Sequence, residues 1–278
     1  MTRILVAGGS GLLGAYLVAA GSRRGDVLSL SRRTRPSVDL ADADAVRKAL
    51  GNIRPDVVIH SAGFTDVDGC QRDPGTADRA NHQSARSLAA ATPPSASLVY
   101  ISTDQVYPDT SGPHREEDAA PVNVYGRSKH AGELATAAHR NSLVLRTNLF
   151  GPSRTPGRES LSDEFASAFA AGRPMRLFTD VHFSPLHLST LADMVFELVE
   201  KGVRGTLNLG SREGMSKRDF AHALAAQAGL STASATDATS DAVAGRAPRA
   251  KDLRLNVERV EGALGRRMPS LREEIQRL

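Results

Sequence analysis

The run Gly8-Gly9-Ser10-Gly11-Leu12-Leu13-Gly14 stands between an apolar, strand-like stretch, Arg3-Ile4-Leu5-Val6-Ala7, and an apolar helix-like stretch over 12–20. Gly8, Gly11 and Gly14 keep a G-x-x-G-x-x-G spacing. Glycine allows a strand to turn sharply into a helix, and it lets backbone N–H groups reach an anion at the positive helix end. A turn of this kind opens a βαβ unit, so it commits the chain to a parallel sheet covered by helices. It predicts a pyrophosphate cradle in which Gly8, Ser10, Gly11, Leu12 and Gly14 meet a dinucleotide.

The pattern downstream agrees. Near-continuous apolar runs at 27–30, 56–60, 98–101 and 143–145 read as buried strands. Helical patterns at 43–50, about 76–91 and from 124 onward separate them. The fold class expected is α/β, a doubly wound parallel sheet of the Rossmann type. After residue 150 the rhythm changes. Residues 151–160 read as a loop, 161–171 and 188–201 as helices, 206–209 as a strand that rejoins the sheet, and 220–228 as a helix. Residues 231–250, nearly all Ala, Ser, Thr, Asp and Gly, read as a low-complexity loop or mobile cover, with helices at 256–264 and 271–278 to close the chain. The division expected is a cofactor-binding core over 1–150 and a smaller, mainly substrate-binding lobe over 151–278, with about 188–210 returning to the core.

Several function classes are excluded at this level. The formal charge is +4, but the basic residues are scattered, with arginines adjacent only in pairs (Arg23-Arg24, Arg32-Arg33, Arg266-Arg267) and no basic run or aromatic interleaving, so no nucleic-acid partner is expected. No uninterrupted apolar segment reaches the roughly 18–20 residues of a membrane span. The opening stretch is apolar enough to imitate a signal peptide, but its glycine-rich centre is better explained by the turn. A single cysteine, Cys70, reads as a small half-buried residue and fits a reducing compartment; a cytoplasmic protein is expected. No His, Cys, Asp and Glu group has metal-ligand spacing, so no catalytic metal is expected.

Cofactor choice depends on the end of the second strand. An acidic residue there would favour NAD by bonding the ribose hydroxyls. This chain has Ser31-Arg32-Arg33 instead, and Asp26 comes too early. Two guanidinium groups beside a hydroxyl suit a 2′-phosphate, which favours NADPH, with NADH the alternative if both arginines are merely solvated. Asp39 and Leu40, after a third short strand, either meet the adenine edge or, for Asp39, cap the helix that begins near Asp42.

The chemistry is carried by Tyr125 and Lys129, one helical turn apart on one face, about twenty residues after Ser102-Thr103-Asp104. An ammonium there lowers a phenol's pKa, and the Thr103 hydroxyl at a strand end completes a site that hydrogen-bonds a carbonyl oxygen. Ser61, Ala62 and Gly63, small residues after a strand, let the cofactor approach. His60 reads as a strand residue satisfied by its neighbours rather than a base.

Taken together, these features resemble the extended short-chain dehydrogenase/reductase superfamily, and more narrowly the dTDP-4-dehydrorhamnose reductase family. The resemblance is carried by the glycine turn, by 54–63 and by Thr65-Asp66-Val67-Asp68. It continues through Ser102-Thr103-Asp104-Gln105-Val106-Tyr107 and through 121–129, with Gly132-Glu133 behind. It implies a sugar ketone reduced by hydride from nicotinamide. Tyr125 would give the proton, Lys129 would lower the tyrosine's pKa and hold the cofactor ribose, and Thr103 would bond the carbonyl. It further implies a substrate site of Thr65, Val67, Asp68, Asp104, Gln105, Asn148 and Arg249, with the Arg249 fork suited to a diphosphate. Asp68 and Asp104 read equally as buried capping residues, and Asn81 as structural. Arg146-Thr147-Asn148 falls where the family places nicotinamide and substrate contacts, and 180–185 resembles a loop over the substrate. A homodimer is a possible assembly.

The chain departs from the family pattern at Gly69-Cys70, at Gln105 (often tyrosine) and at Ala250 (usually proline), all near the sugar site. Reductase chemistry is therefore safer than dTDP-rhamnose synthesis in particular. Two alternatives share the fold: a nucleotide-sugar epimerase or dehydratase with retained NAD, and a non-catalytic NADP-binding regulatory subunit like that of methionine adenosyltransferase.

Overall fold

The structure, a computed structural model, describes residues 1–31, 37–242 and 245–278. Arg32 and Arg33 lie outside the described residues. The chain runs β1 (Arg3–Ala7), α1 (Leu12–Gly21), β2 (Asp26–Leu30), α2 (Ala43–Ile53), β3 (Val57–His60), α3 (Val67–Arg72), α4 (Pro74–Asp78), a π-helical turn (Arg79–Gln83), α5 (Ser84–Ala91), β4 (Ser97–Ile101), α6 (Val124–Ala137) and β5 (Ser142–Thr147). It continues with β6 (Leu149–Phe150), α7 (Leu161–Ala170), β7 (Met175–Phe178), β8 (His182–Phe183), β9 (Leu186–His187) and α8 (Leu188–Glu200). The last elements are β10 (Gly205–Leu209), β11 (Met215–Ser216), α9 (Lys217–Gln227), β12 (Ala235–Ala238), β13 (Asp252–Leu253), α10 (Glu258–Leu264) and α11 (Leu271–Ile275).

Six strands form one parallel sheet in the order β10-β5-β4-β3-β1-β2. Strand order reverses between β1 and β3, and a doubly wound sheet opens its binding crevice beyond the strand ends at such a point. Successive side chains point to opposite faces of a strand, so Ile4 and Val6 enter one core cluster while Leu5 and Ala7 enter the other. The first cluster packs against α1, α8 and α10, the second against α2 and α5. A third cluster belongs to the later chain, where Phe150, Phe165, Phe169, Phe183 and Phe220 pack with α9 and α11. Phe220 sits at its centre, its ring 5.0 Å from Phe150 and 5.2 Å from Phe183.

Sheet, first helix and returning strand fall where the sequence places them. Several expectations change. The helix expected at about 76–91 runs from Pro74 to Ala91 through a π-helical turn, and a separate short helix, α3, precedes it. Asp73 caps a new start at Pro74 by accepting from the Thr76 N–H, and the turn then widens at Asn81. At this widened turn the Tyr100 hydroxyl donates to the Asn81 carbonyl. Asp42, not Asp39, caps α2, accepting from the Asp44 and Ala45 N–H groups. No strand precedes Asp39 over 37–38, the described residues just before it. Residues 231–250 are not simply a loop, since β12 pairs in parallel with β7. The closing helices are shorter than expected, and Cys70 is fully buried.

Candidate active site

A cleft of about 1450 Å³ runs along the C-terminal ends of β1, β3 and β4 and is closed on its far side by the later chain. At one end lies the glycine turn. Gly8 has φ +95°, and a Cβ there would sit 2.5 Å from the Ala62 nitrogen, so only glycine lets the turn meet the end of β3. Its N–H donates to the Leu30 carbonyl and its carbonyl accepts from Gly11, which fixes the turn against β2. Gly11 is the N-cap of α1 and offers no side-chain cap, so the first-turn N–H groups are left for an anion. Gly8, Ser10, Gly11, Leu12, Ser31, Asp39, Leu40, Ser61, Ala62 and Gly63 all line the cleft. Gly14 does not: a Cβ there would meet the Gly8 carbonyl at 2.0 Å, so its smallness serves the packing of α1 on the turn. Asp39 accepts from Arg79 at 2.6 Å, a half-exposed ion pair at the cleft edge.

Beyond β4 the chain places its hydroxyls. Thr103 caps a short 3₁₀ turn, accepting from the Gln105 N–H, and its side chain lies within hydrogen-bonding reach of the Tyr125 phenol. Asn123 caps α6 by accepting from the Gly126 N–H at 2.7 Å. A Cβ on Gly126 would meet the Gln105 carbonyl at 2.1 Å, so this glycine brings the first turn of α6, and Tyr125 with it, against the end of β4. Thr103, Tyr125 and Lys129 all line the cleft. Lys129 Nζ donates to the Ile101 carbonyl at 2.6 Å.

Electrostatics at this end differ from the expectation set by spacing alone. Burial raises the Tyr125 phenol above its ordinary value, against the Thr103 hydrogen bond, and the nearby Asp104 raises it further. Lys129 is itself lowered to about 7 by burial, with Glu133 opposing. The depression of the tyrosine expected from the ammonium is not among these causes, and Tyr125 stays a neutral proton donor through the physiological range. Asp104 is raised to about 6, chiefly by burial, although Asn148 donates to it at 2.6 Å. His60 is lowered to about 3, first by burial and then by Lys129, so it is neutral; its Nε2 pairs with the Ser84 hydroxyl.

The remaining expected residues divide. Thr65, Val67, Asp104, Gln105, Asn148 and Arg249 line the cleft. Asp68 stands behind the lining, where it binds both Arg249 terminal nitrogens at 2.9 Å. The fork expected to grip a diphosphate is thus engaged by Asp68, which the guanidinium holds at about 2. Arg146 turns away from the cleft into a buried bidentate pair with Glu133. Asp180 accepts from the Ser240 N–H and hydroxyl, which ties down the segment after β12.

The chain matches the RmlD substrate binding domain family over residues 1–278. The chain belongs to that family. It is 30% identical to the probable low-salt glycan biosynthesis reductase Agl14 of Haloferax volcanii, covering 98% of this chain and 96% of the relative. It is 33% identical to the dTDP-4-dehydrorhamnose reductase of Mycobacterium tuberculosis over 78% of this chain and 72% of that one. The methionine adenosyltransferase 2 subunit beta of Pongo abelii is 28% identical over 96% of this chain and 84% of its own length. Among solved structures, the dTDP-4-dehydrorhamnose reductase of Bacillus anthracis, in complex with NADP, superposes with a TM-score of 0.91 at 25% identity, covering 100% of this chain and 98% of that one.

Within this RmlD-type frame, two cleft residues were not anticipated: Lys217 and Arg246. Lys217 is the first residue of α9, whose N-cap Ser216 accepts from the Asp219 N–H. That Ser-x-x-Asp cap is a sequence signal that starts the helix three residues before Phe220. Burial lowers Lys217, with Asp104 opposing and Arg246 and Arg249 reinforcing. Arg246 lies over the Phe178 ring, 5.0 Å from its centroid. Neither forms an ion pair among the described residues, so two half-buried cations face the cleft without a carboxylate.

Proposed function

We propose that this protein reduces the keto group of a nucleotide-activated 4-keto-6-deoxysugar with NADPH. It is an NAD(P)-dependent oxidoreductase of the RmlD-type reductases. One observation carries the reading: Thr103 and Tyr125 converge at one point of a cleft that has the glycine cradle at one end and the unpaired Lys217 and Arg246 at the other. A cleft with this order of groups suits a dinucleotide, a carbonyl and an anionic leash in sequence.

The cradle fits the cofactor, because Gly8, Ser10, Gly11 and Leu12 line the cleft and the first turn of α1 has no side-chain cap. Gly8, Ser10, Gly11 and Leu12 would hold its pyrophosphate. Ser31 with Arg32 and Arg33 would take the 2′-phosphate, Asp39 and Leu40 the adenine side, and Ser61 to Gly63 the stretch between. The nicotinamide, when bound, supplies the hydride. Thr103 orients the substrate oxygen, and Tyr125 gives that oxygen its phenolic proton as the carbonyl carbon becomes a secondary alcohol. Lys129 steadies the ribose and, by its charge, the phenolate that remains. Lys217 and Arg246 pair with the substrate's phosphates, and Asp104, Gln105 and Asn148 contact the sugar.

The test is a panel of dTDP-, UDP- and GDP-4-keto-6-deoxysugars offered with NADPH or NADH, followed at 340 nm. The expected outcome is turnover that prefers NADPH and that falls at least 10²-fold in Tyr125→Phe while NADPH binding survives. Tight NADPH binding with no turnover of any keto sugar would instead favour a regulatory role like that of the adenosyltransferase subunit.

A further inference from the structure

Lys129 has an uncommon environment for an ammonium. Its Nζ lies 4.0 Å from the centroid of the Tyr100 ring, on the ring's face. The residue is 3% exposed, and Tyr100 is wholly buried. The nearest carboxylate on its own helix, Glu133, is occupied elsewhere: it binds Arg146 through both oxygens and accepts from Ser102 and His130. The charged and titratable groups around Lys129 are then His60 from β3, Tyr100 from β4, Tyr125 and Glu133 from α6, and Arg146 from β5 through Glu133. His60 is neutral, and Glu133 is balanced by Arg146. What faces the ammonium directly is one carbonyl, that of Ile101, and one aromatic face.

The Tyr100 ring is itself held in place. Its hydroxyl donates to the Asn81 carbonyl at the π-helical turn, and its other neighbour, the His60 ring, is 5.2 Å away. Asn81 in turn braces α6 by donating to the Ser128 hydroxyl. The turn, the ring and the helix are therefore one assembly built around the lysine.

We propose that Tyr100 is a positioning residue for Lys129: its ring face seats the ammonium and keeps it protonated, so that it can bond the cofactor ribose. An aromatic face attracts a cation through its quadrupole, and more strongly where water is excluded. Burial, with Glu133 opposing, brings Lys129 to about 7, so at neutral pH a contribution of this size decides how much of the lysine is charged. The role assigned to the ammonium rests on the cofactor reading above; the seating of the ammonium by the ring does not.

The chain has five lysines, Lys48, Lys129, Lys201, Lys217 and Lys251, so ¹³C-lysine NMR can follow Lys129 directly, with Lys129→Met as the assignment. Tyr100→Phe keeps the ring and removes the hydroxyl; di- and trifluorophenylalanine at position 100 then weaken the ring face at nearly constant volume. The expected result is a Lys129 pKa within about 0.3 of wild type in Tyr100→Phe, then a stepwise fall reaching about one unit in the trifluoro variant. NADPH affinity should drop about 5–10-fold at pH 8 in the trifluoro variant and by no more than about 2-fold at pH 6. A flat fluorination series overturns the seating, as does a fall in Tyr100→Phe as large as in the trifluoro variant. A graded lysine pKa with no graded NADPH affinity keeps the seating and overturns the role in cofactor binding.

Discussion

Lys217 and Asp104 show what single residues contribute on the two sides of the cleft. Lys217 carries a charge that burial opposes and that no carboxylate pairs among the described residues. On the proposed function, an anion that arrives with the substrate would stabilise a cation held in this way. Lys217→Ala should raise KM for the sugar nucleotide about 10–100-fold, the worth of one charge-assisted hydrogen bond, and leave NADPH affinity unchanged; steady-state kinetics and cofactor titration separate the two. Asp104 is the reverse case, a carboxyl 1% exposed whose pKa rises to about 6. A carboxylate raised in the folded state costs stability above that value, and the cost vanishes below the unfolded pKa of about 3.9. Asp104→Asn should therefore stabilise the fold by about 2–3 kcal/mol at pH 7.5 and by nothing near pH 3.5, while turnover falls. Denaturant melts at the two pH values check it. Thr103, Tyr125 and Lys129 were legible in the sequence because their relation is local, a strand end and one turn of one helix. Lys217 and Arg246 were not, because they reach the cleft only through the packing of the later chain around Phe220.

At the scale of elements, α6 is tied to the sheet by the buried Arg146–Glu133 pair, both side chains about 95% covered. Tyr107 accepts from the same guanidinium, as does the Glu116 carbonyl, so every terminal nitrogen is satisfied. Removing one partner leaves the other charge buried without compensation. Glu133→Gln should cost about 3–5 kcal/mol of stability. Burial raises Glu133, but Arg146, His130 and Ser102 outweigh it and hold the carboxyl below its ordinary value. A depressed acid stabilises the fold above its unfolded pKa and loses that contribution as the pH falls through the folded value. The variant's stability should thus fall less steeply than that of wild type below about pH 4.5. Element order was readable from the alternation of apolar runs, which burial of both sheet faces imposes. The π-helical turn at Arg79–Gln83 was not readable, since the hydroxyl that meets it lies on a strand nearly twenty residues away.

On the scale of the whole molecule, the core cluster on the α1 face of the sheet contains Leu207 and Leu209 from β10, side by side with residues of β1, β3 and β5. Asn208 between them is fully buried, accepting from the Tyr107 hydroxyl and donating to the His114 and Asn256 carbonyls. The strand 206–209 was foreseeable as apolar and β-like; its place at the sheet edge beside β5 was not, because nothing local names a partner. Its position sets an order of assembly. During synthesis the chain must extend past residue 209 before β5 gains its outer neighbour, and until then the unpaired edge of β5 is open to other chains. A fragment ending at residue 150 should accumulate in the insoluble fraction, and one ending at 210 should recover part of the soluble yield, as fractionation after expression will measure. Translation rate over the roughly sixty codons between β5 and β10 then becomes a determinant of how much active protein a cell obtains.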